Sequence, residues 1–176
     1  MRDISTSNFG LLIAYVIPGF TVMVGLGLVF PMVARWLGHP SSQLPTVGGF
    51  LYVTIGAVTI GLFLSTLRWL LIDSLHHRTG IDRPNWEFKR FPQAQKMYDA
   101  LTEYHYRYYQ FYGSMVLALP ILFGCGIVAG DEHFLSLLGV LGFLCIEAIF
   151  FAGSRDTLRK YYDRLQPILG KRSSKA

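Results

Sequence analysis

The chain has 176 residues, 52% hydrophobic and 15% charged, with a formal net charge of +5. A soluble domain of this size carries about 25% charged residues, so the deficit excludes an ordinary water-soluble globule and points to lipid. Its two cysteines, Cys125 and Cys145, sit inside apolar runs without C-x-x-C spacing, which excludes a cysteine-based zinc or redox centre and reads them as packing residues.

Four apolar runs stand out, Phe9–Ala34, Val47–Ile72, Gly113–Gly130 and Phe134–Ser154. A bilayer core about 30 Å thick takes roughly 20 helical residues, so each run reads as a span. The expected fold is all-α: one polytopic domain over 1–176, with a polar segment at 73–112 and an amphipathic helix in the tail, 155–176. The first run follows only Arg2 and Asp3 and exceeds the roughly 7–15 residues of a signal h-region, so it reads as a retained span. Lys and Arg collect in two places. Arg78, Arg83, Lys89, Arg90, Lys96 and Arg107 lie between the second and third runs, and Arg155, Arg159, Lys160, Arg164, Lys171, Arg172 and Lys175 follow the fourth. The positive-inside rule then puts both termini and the central segment in the cytoplasm of an inner-membrane protein. Much of the +5 is accounted for by that rule and by attraction to anionic lipid, so charge alone does not imply direct nucleic-acid binding.

In chain order, Ser5, Thr6, Ser7 and Asn8 offer an N-cap for the first span. Pro18-Gly19 predicts a bend there, read as a tolerated kink rather than a gate. Pro31 and Trp36 suit an interface, and Gly38 to Pro45 a loop. In the second span, Thr54, Val58, Gly61, Ser65 and Arg68 recur at helical spacing and share one face. That face either lines water or packs closely; Ala57-x-x-x-Gly61 and Gly126-x-x-x-Gly130 favour close packing. Arg68 and Glu147 are the ionisable residues clearly inside spans. A lone charge there costs about 2.5–3.5 kcal/mol, so the two are predicted to meet, as a structural pair or as part of a pore with Ser65 and Thr54.

Beyond Ile72, Asp73 precedes His76 and His77 at i+3 and i+4, a spacing that permits a surface hydrogen bond. With His105 these residues suit a pH-sensitive or anion-contacting cluster better than a metal site. Thr79 to Pro84 is turn chemistry, and Trp86, Phe88 and Phe91 alternate with Glu87, Lys89 and Arg90 as in a headgroup-level segment. A helix is predicted from Gln93 into the third span, with Tyr98, Tyr104, Tyr106, Tyr108, Tyr109 and Tyr112 along it. Interfacial tyrosines are normal, but these spread around the whole helix, and aromatics interleaved with Arg and His also stack bases. The candidate ligand or partner surface is therefore His76, His77, Arg78, Arg83, Lys89, Arg90, His105, Tyr106, Arg107 and Tyr108. The fourth span is predicted to continue through Leu169, with Leu158, Tyr161, Tyr162, Leu165, Ile168 and Leu169 on one side and i+4 pairs Asp156–Lys160 and Arg159–Asp163.

The strings RWLLIDSLHHRTGI, HYRYYQFY and AYVIPGF resemble a group of small bacterial inner-membrane proteins without an assigned activity. In architecture the chain is also similar to the small membrane effectors of anti-phage systems. That likeness implies membrane depolarisation triggered by a cytosolic partner or nucleotide signal. No Ser/His/Asp elbow, paired-carboxylate site or H-E-x-x-H occurs, so neither an enzyme nor a cofactor is expected. The functional expectation is a homo-oligomeric channel or pore, gated through the basic aromatic segment by an anionic cytosolic ligand (nucleotide or nucleic acid) or a partner protein. Its alternatives are a non-conducting anchor that recruits a soluble partner, and a small ion-coupled transporter using Glu147.

Overall fold

In lipid no water satisfies backbone amides and carbonyls, so an apolar run must close its hydrogen bonds within itself and become a helix. The computed structural model describes residues 6–38, 46–82, 84–86 and 91–169. Its elements are helical throughout, and four helices are long and apolar enough to cross a membrane. The chain is an all-α, multi-pass membrane protein.

Helix α1 (Thr6–Val29) runs unbroken through Pro18, and α2 (Pro31–Trp36) starts on a proline, whose missing N–H is no loss at that position. The Thr46 hydroxyl accepts from the Gly49 amide at 3.0 Å and caps α3 (Val47–Arg68). A wider π-helical turn, Trp69–Asp73, joins α3 to α4 (Ser74–Arg78), so the second span and its polar extension form one rod. It stops at Gly80, whose φ of +94° favours glycine. A second rod comprises α5 (Phe91–Leu101), a π turn at Thr102–Tyr106 and α6 (Arg107–Val128). After α7 (Glu132–Leu135) comes α8 (Leu137–Leu169), which carries the fourth span straight into the polar region.

The apolar run at Phe134–Ser154 is not one helix. Ser136 takes an extended conformation, donating its hydroxyl to His133 O at 2.7 Å and accepting from Gly139 N at 3.0 Å, so it ends α7 and caps α8. Ser5, the Gly38–Pro45 loop beyond Gly38, and the Lys171–Lys175 tail lie outside the described residues.

α1 packs against both α3 and α6, around Val22, Leu64, Met115 and Ala118. Its crossing with α3 brings backbone onto backbone. A Cβ on Gly19 would lie 1.8 Å from Ala57 O, and one on Gly61 2.0 Å from Tyr15 O. The Ala57/Gly61 pair therefore acts as a small-residue contact. This contact sets the rotation of α3 and corrects the predicted stripe: the buried face is Gly49, Val53, Ala57, Gly61, Leu64 and Arg68, while Thr54 and Val58 are exposed. Thr54 tolerates that position because its hydroxyl donates back to Phe50 O at 2.8 Å. The Gly126-x-x-x-Gly130 motif serves a turn rather than a helix pair, with Gly126 against the Phe134 ring and Gly130 at φ +77°.

α8 is the outlier. Within the apolar region it lies along α6, with Phe123 stacked on Phe143 at 4.3 Å and Phe111 edge-on to Phe150 at 5.8 Å. Only 6% of its most apolar stretch is buried, against 33%, 28% and 33% for the other spans in order. Cys145, read from the sequence as a packing thiol, is exposed on this helix.

Candidate functional site: a buried charge cluster at the basic end

Arg68 is the last residue of α3 and is only 2% exposed. On a regular α-helix a residue five positions on lies about 140° away around the axis. The π turn that begins at Trp69 adds a residue to the turn and swings Asp73 back toward Arg68. Arg68 Nη1 then donates to Asp73 Oδ1 at 2.8 Å. Tyr109, fully buried on α6, donates its hydroxyl to the same oxygen. Its ring also lies under the guanidinium, with Arg68 Cζ 4.8 Å from the centroid, a cation–π contact strengthened by desolvation. Gly113 gives Arg68 its path, since a Cβ there would sit 2.8 Å from Arg68 Cδ.

A second buried layer adjoins the first. His76, fully buried on α4, shares a hydrogen bond with Ser154 of α8 at 3.0 Å, and its ring packs 5.2 Å from Phe151 and 6.2 Å from Tyr109. Ser154 Oγ also lies 3.3 Å from where a Gly113 Cβ would be. The next residue of α8, Arg155, clamps the end of the α3–α4 rod, donating to Thr79 Oγ1 at 2.6 Å and Thr79 O at 2.5 Å. The cluster therefore ties both rods and α8 together where they leave the apolar region. Breaking a buried ion pair by removing one partner costs about 3–5 kcal/mol.

The predicted Arg68–Glu147 pair is not made within the chain, because Asp73 takes the guanidinium. Phe123 faces Phe143 and Gly113 faces Ser154 across the antiparallel α6/α8 seam, which places Glu147 opposite Leu119–Pro120. Glu147 is half-buried there, and its Oε2 meets no hydrogen-bond partner among the described residues. Ser65 is half-buried beside Arg68, whereas Thr54 faces outward and does not join it. The predicted Asp73–histidine contact is also replaced. Asp73 bonds to Arg68 and Tyr109, His76 to Ser154, and His77 Nδ1 to Ile81 O at 2.8 Å.

The aromatic belt is explained by packing. Tyr106 contacts Tyr109 at 5.8 Å and Tyr161 at 5.2 Å; Trp86 sets its edge on Tyr161 and Tyr162, both at 6.2 Å; His77 stacks on Tyr162 at 6.1 Å. The α8 extension closes over this surface, burying Leu158, Tyr161, Leu165 and Leu169 as its periodicity predicted. The tyrosines encircle their helix because one side faces α8, one meets the charge cluster and one is exposed. Of the predicted ligand surface, Arg78 and Tyr108 are exposed. His76 is sealed, and Tyr106 is packed. Arg107 lies along Gly10, where a Cβ would be 2.8 Å from its Cδ. His105 Nε2 is 2.5 Å from Arg164 Nη1, and Arg83, Lys89 and Arg90 lie outside the described residues.

Lys160 meets Asp156 at 2.6 Å as predicted, but Arg159 and Asp163 instead line a polar cleft of about 360 Å³ with Asp82, Asn85 and Gln166. The cleft is open and carries both signs of charge, so it suits a polar surface better than a bare anion. The sequence offered no periodic signal for Asp73–Tyr109, since the two residues stand on different rods and meet only when those rods pack. Comparison with family models, with curated proteins and with solved structures finds no match to this chain. The fold and the site define a multi-pass membrane protein with a buried charge cluster at one end of its helices.

Proposed function

We propose that the protein is a homo-oligomeric, pore-type membrane effector whose conducting state is set from its basic end. The observation that carries this reading is the buried Arg68–Asp73–Tyr109 cluster, at the point where both rods leave the apolar region, each through a π turn. Such turns cluster at functional sites and relax to regular helix by rotating the segment on their far side. A charge network of this kind has discrete made and broken arrangements, and a ligand acts on it by binding one arrangement better than the other. Four spans enclose little space, so conduction requires several subunits around an axis, and the sparsely covered α8 supplies surface for that assembly. By the positive-inside rule the basic end faces the cytoplasm of an inner membrane. The trigger is then an anionic cytosolic ligand or a partner protein, in keeping with the architectural likeness to anti-phage effectors.

Purified protein in liposomes tests this by ion flux. Asp73→Asn and Tyr109→Phe should raise leak above wild type by loosening the cluster. Silence of all three proteins, with and without nucleotide or oligonucleotide, refutes the pore. A second reading, a non-conducting anchor, is favoured by one specific feature: the aromatic lattice holds the α8 extension as a platform carrying the Asp82, Arg159 and Asp163 cleft. Silence in liposomes together with capture of a soluble partner on that platform would establish it.

A further inference from the structure

Between α1 and α3 lies a lateral cleft of about 390 Å³, lined by Tyr15, Leu62, Ser65, Thr66, Arg68 and Trp69. Its chemistry is not that of an ordinary lipid-facing groove. Leu62 and Trp69, at its mouth, are 53% and 61% exposed, so it opens sideways into the region the bilayer occupies. Its lining also includes Ser65, Tyr15 and Arg68, and Thr66, whose hydroxyl donates to Leu62 O at 3.2 Å. Tyr15 is fixed from behind, its oxygen accepting from Gln110 Nε2 at 3.3 Å.

Arg68 is 2% exposed, and its Nη1 is committed to Asp73, yet its Nε is buried with no hydrogen-bond partner among the described residues. A desolvated cationic N–H without an acceptor is costly, and planar guanidinium is the side chain best matched to phosphate oxygens. Along the rod, Arg68 lies ten residues short of its end at Arg78, about 15 Å at 1.5 Å per residue. That is shallow enough for a headgroup to reach and too deep for a freely exchanging solute to prefer. An apolar mouth, polar lining residues and an Arg68 whose Nε lacks an acceptor among the described residues together match one ligand class.

We propose that this cleft binds a phospholipid of the leaflet at the basic end, with a phosphate oxygen accepting from Arg68 Nε, Ser65 and Tyr15 flanking the phosphate and an acyl chain along Leu62 and Trp69. The proposal requires that the chain span a bilayer; it is independent of whether the protein conducts. Bound lipid would brace the guanidinium that Asp73 and Tyr109 hold from the other side, so local lipid would bias the charge cluster.

The test is thermal unfolding of the full chain in a neutral detergent, titrated with phosphatidylglycerol, with diacylglycerol of the same acyl chains, or with glycerol phosphate. Phosphatidylglycerol should raise Tm saturably, and the other two should not. Thr66→Leu, at an exposed position on the cleft wall, and Ser65→Leu, deeper in it, add bulk to the cleft while leaving the Arg68–Asp73 pair intact, and should each raise the half-saturating concentration about tenfold or more. Thr54→Leu, exposed on another part of α3, should leave it unchanged. An equal shift with diacylglycerol removes the phosphate contact, and an equal shift with glycerol phosphate removes the lipid. An unaltered titration in Thr66→Leu overturns the site even if Ser65→Leu fails to fold.

Discussion

Removing the Asp73 carboxylate is the sharpest perturbation of this molecule. Asp73→Ala leaves Arg68, only 2% exposed, beside a tyrosine that has lost its acceptor. An uncompensated buried charge costs about 3–5 kcal/mol, and the orphaned Tyr109 hydroxyl adds about 1–3 kcal/mol. Arg68→Leu should cost less, because Asp73 keeps the Tyr109 hydrogen bond and its side chain is 16% exposed. In Arg68→Leu/Asp73→Ala no lone charge remains, so the double variant should be more stable than the sum of the single losses predicts, by about 2 kcal/mol or more. Denaturant unfolding in detergent micelles, followed by far-ultraviolet circular dichroism, provides the measurement. The parallel cycle of Arg68→Leu with Glu147→Gln should be additive within about 0.5 kcal/mol. Additivity in the Asp73 cycle, or strong coupling in the Glu147 cycle, refutes the assignment of Arg68's partner.

Tyr109→Phe keeps the ring under the guanidinium and removes the charged-acceptor hydrogen bond, so its cost in the same unfolding assay should be about 1.5–3 kcal/mol. Gly61→Val would drive a side chain into Tyr15 O, where even a Cβ lies at 2.0 Å; it should abolish monodisperse folded protein on size-exclusion chromatography, while Gly124→Ala, with open space, should elute as wild type. The Arg164–His105 contact requires a neutral imidazole, because the cation has no lone pair to accept with. Its stabilisation should be present above the ordinary histidine value of about 6.5 and lost on acidification, so Tm should fall less between pH 8 and pH 5 in His105→Gln than in wild type. Cysteine-specific labelling of whole cells should reach Glu132→Cys from outside and Lys96→Cys only after permeabilisation; labelling of the latter in intact cells reverses the proposed orientation.

The spans and their helical character were legible from residue order alone, because an unsatisfied backbone in lipid leaves a long apolar run no alternative to the helix. The amphipathic face from Leu158 to Leu169, the stop at Thr79–Gly80 and the close contact at Ala57/Gly61 were legible for equally local reasons: period, turn chemistry and side-chain size. What the sequence could not determine was rotation and partnership. Of the face drawn from Thr54 to Arg68 at ideal spacing, Gly61 and Arg68 turn inward but Thr54 and Val58 do not, since backbone contact at Gly19 and Gly61 sets which side of α3 is buried. Arg68 sits in an apolar run with Glu147 as the one carboxylate at comparable depth, yet its partner is five residues away, beyond the reach of regular α-helical geometry. Only tertiary structure decided that, because a π turn is held in place by the Tyr109 hydroxyl and the Gly113 gap on another helix, and residue order does not encode which helix will stand opposite.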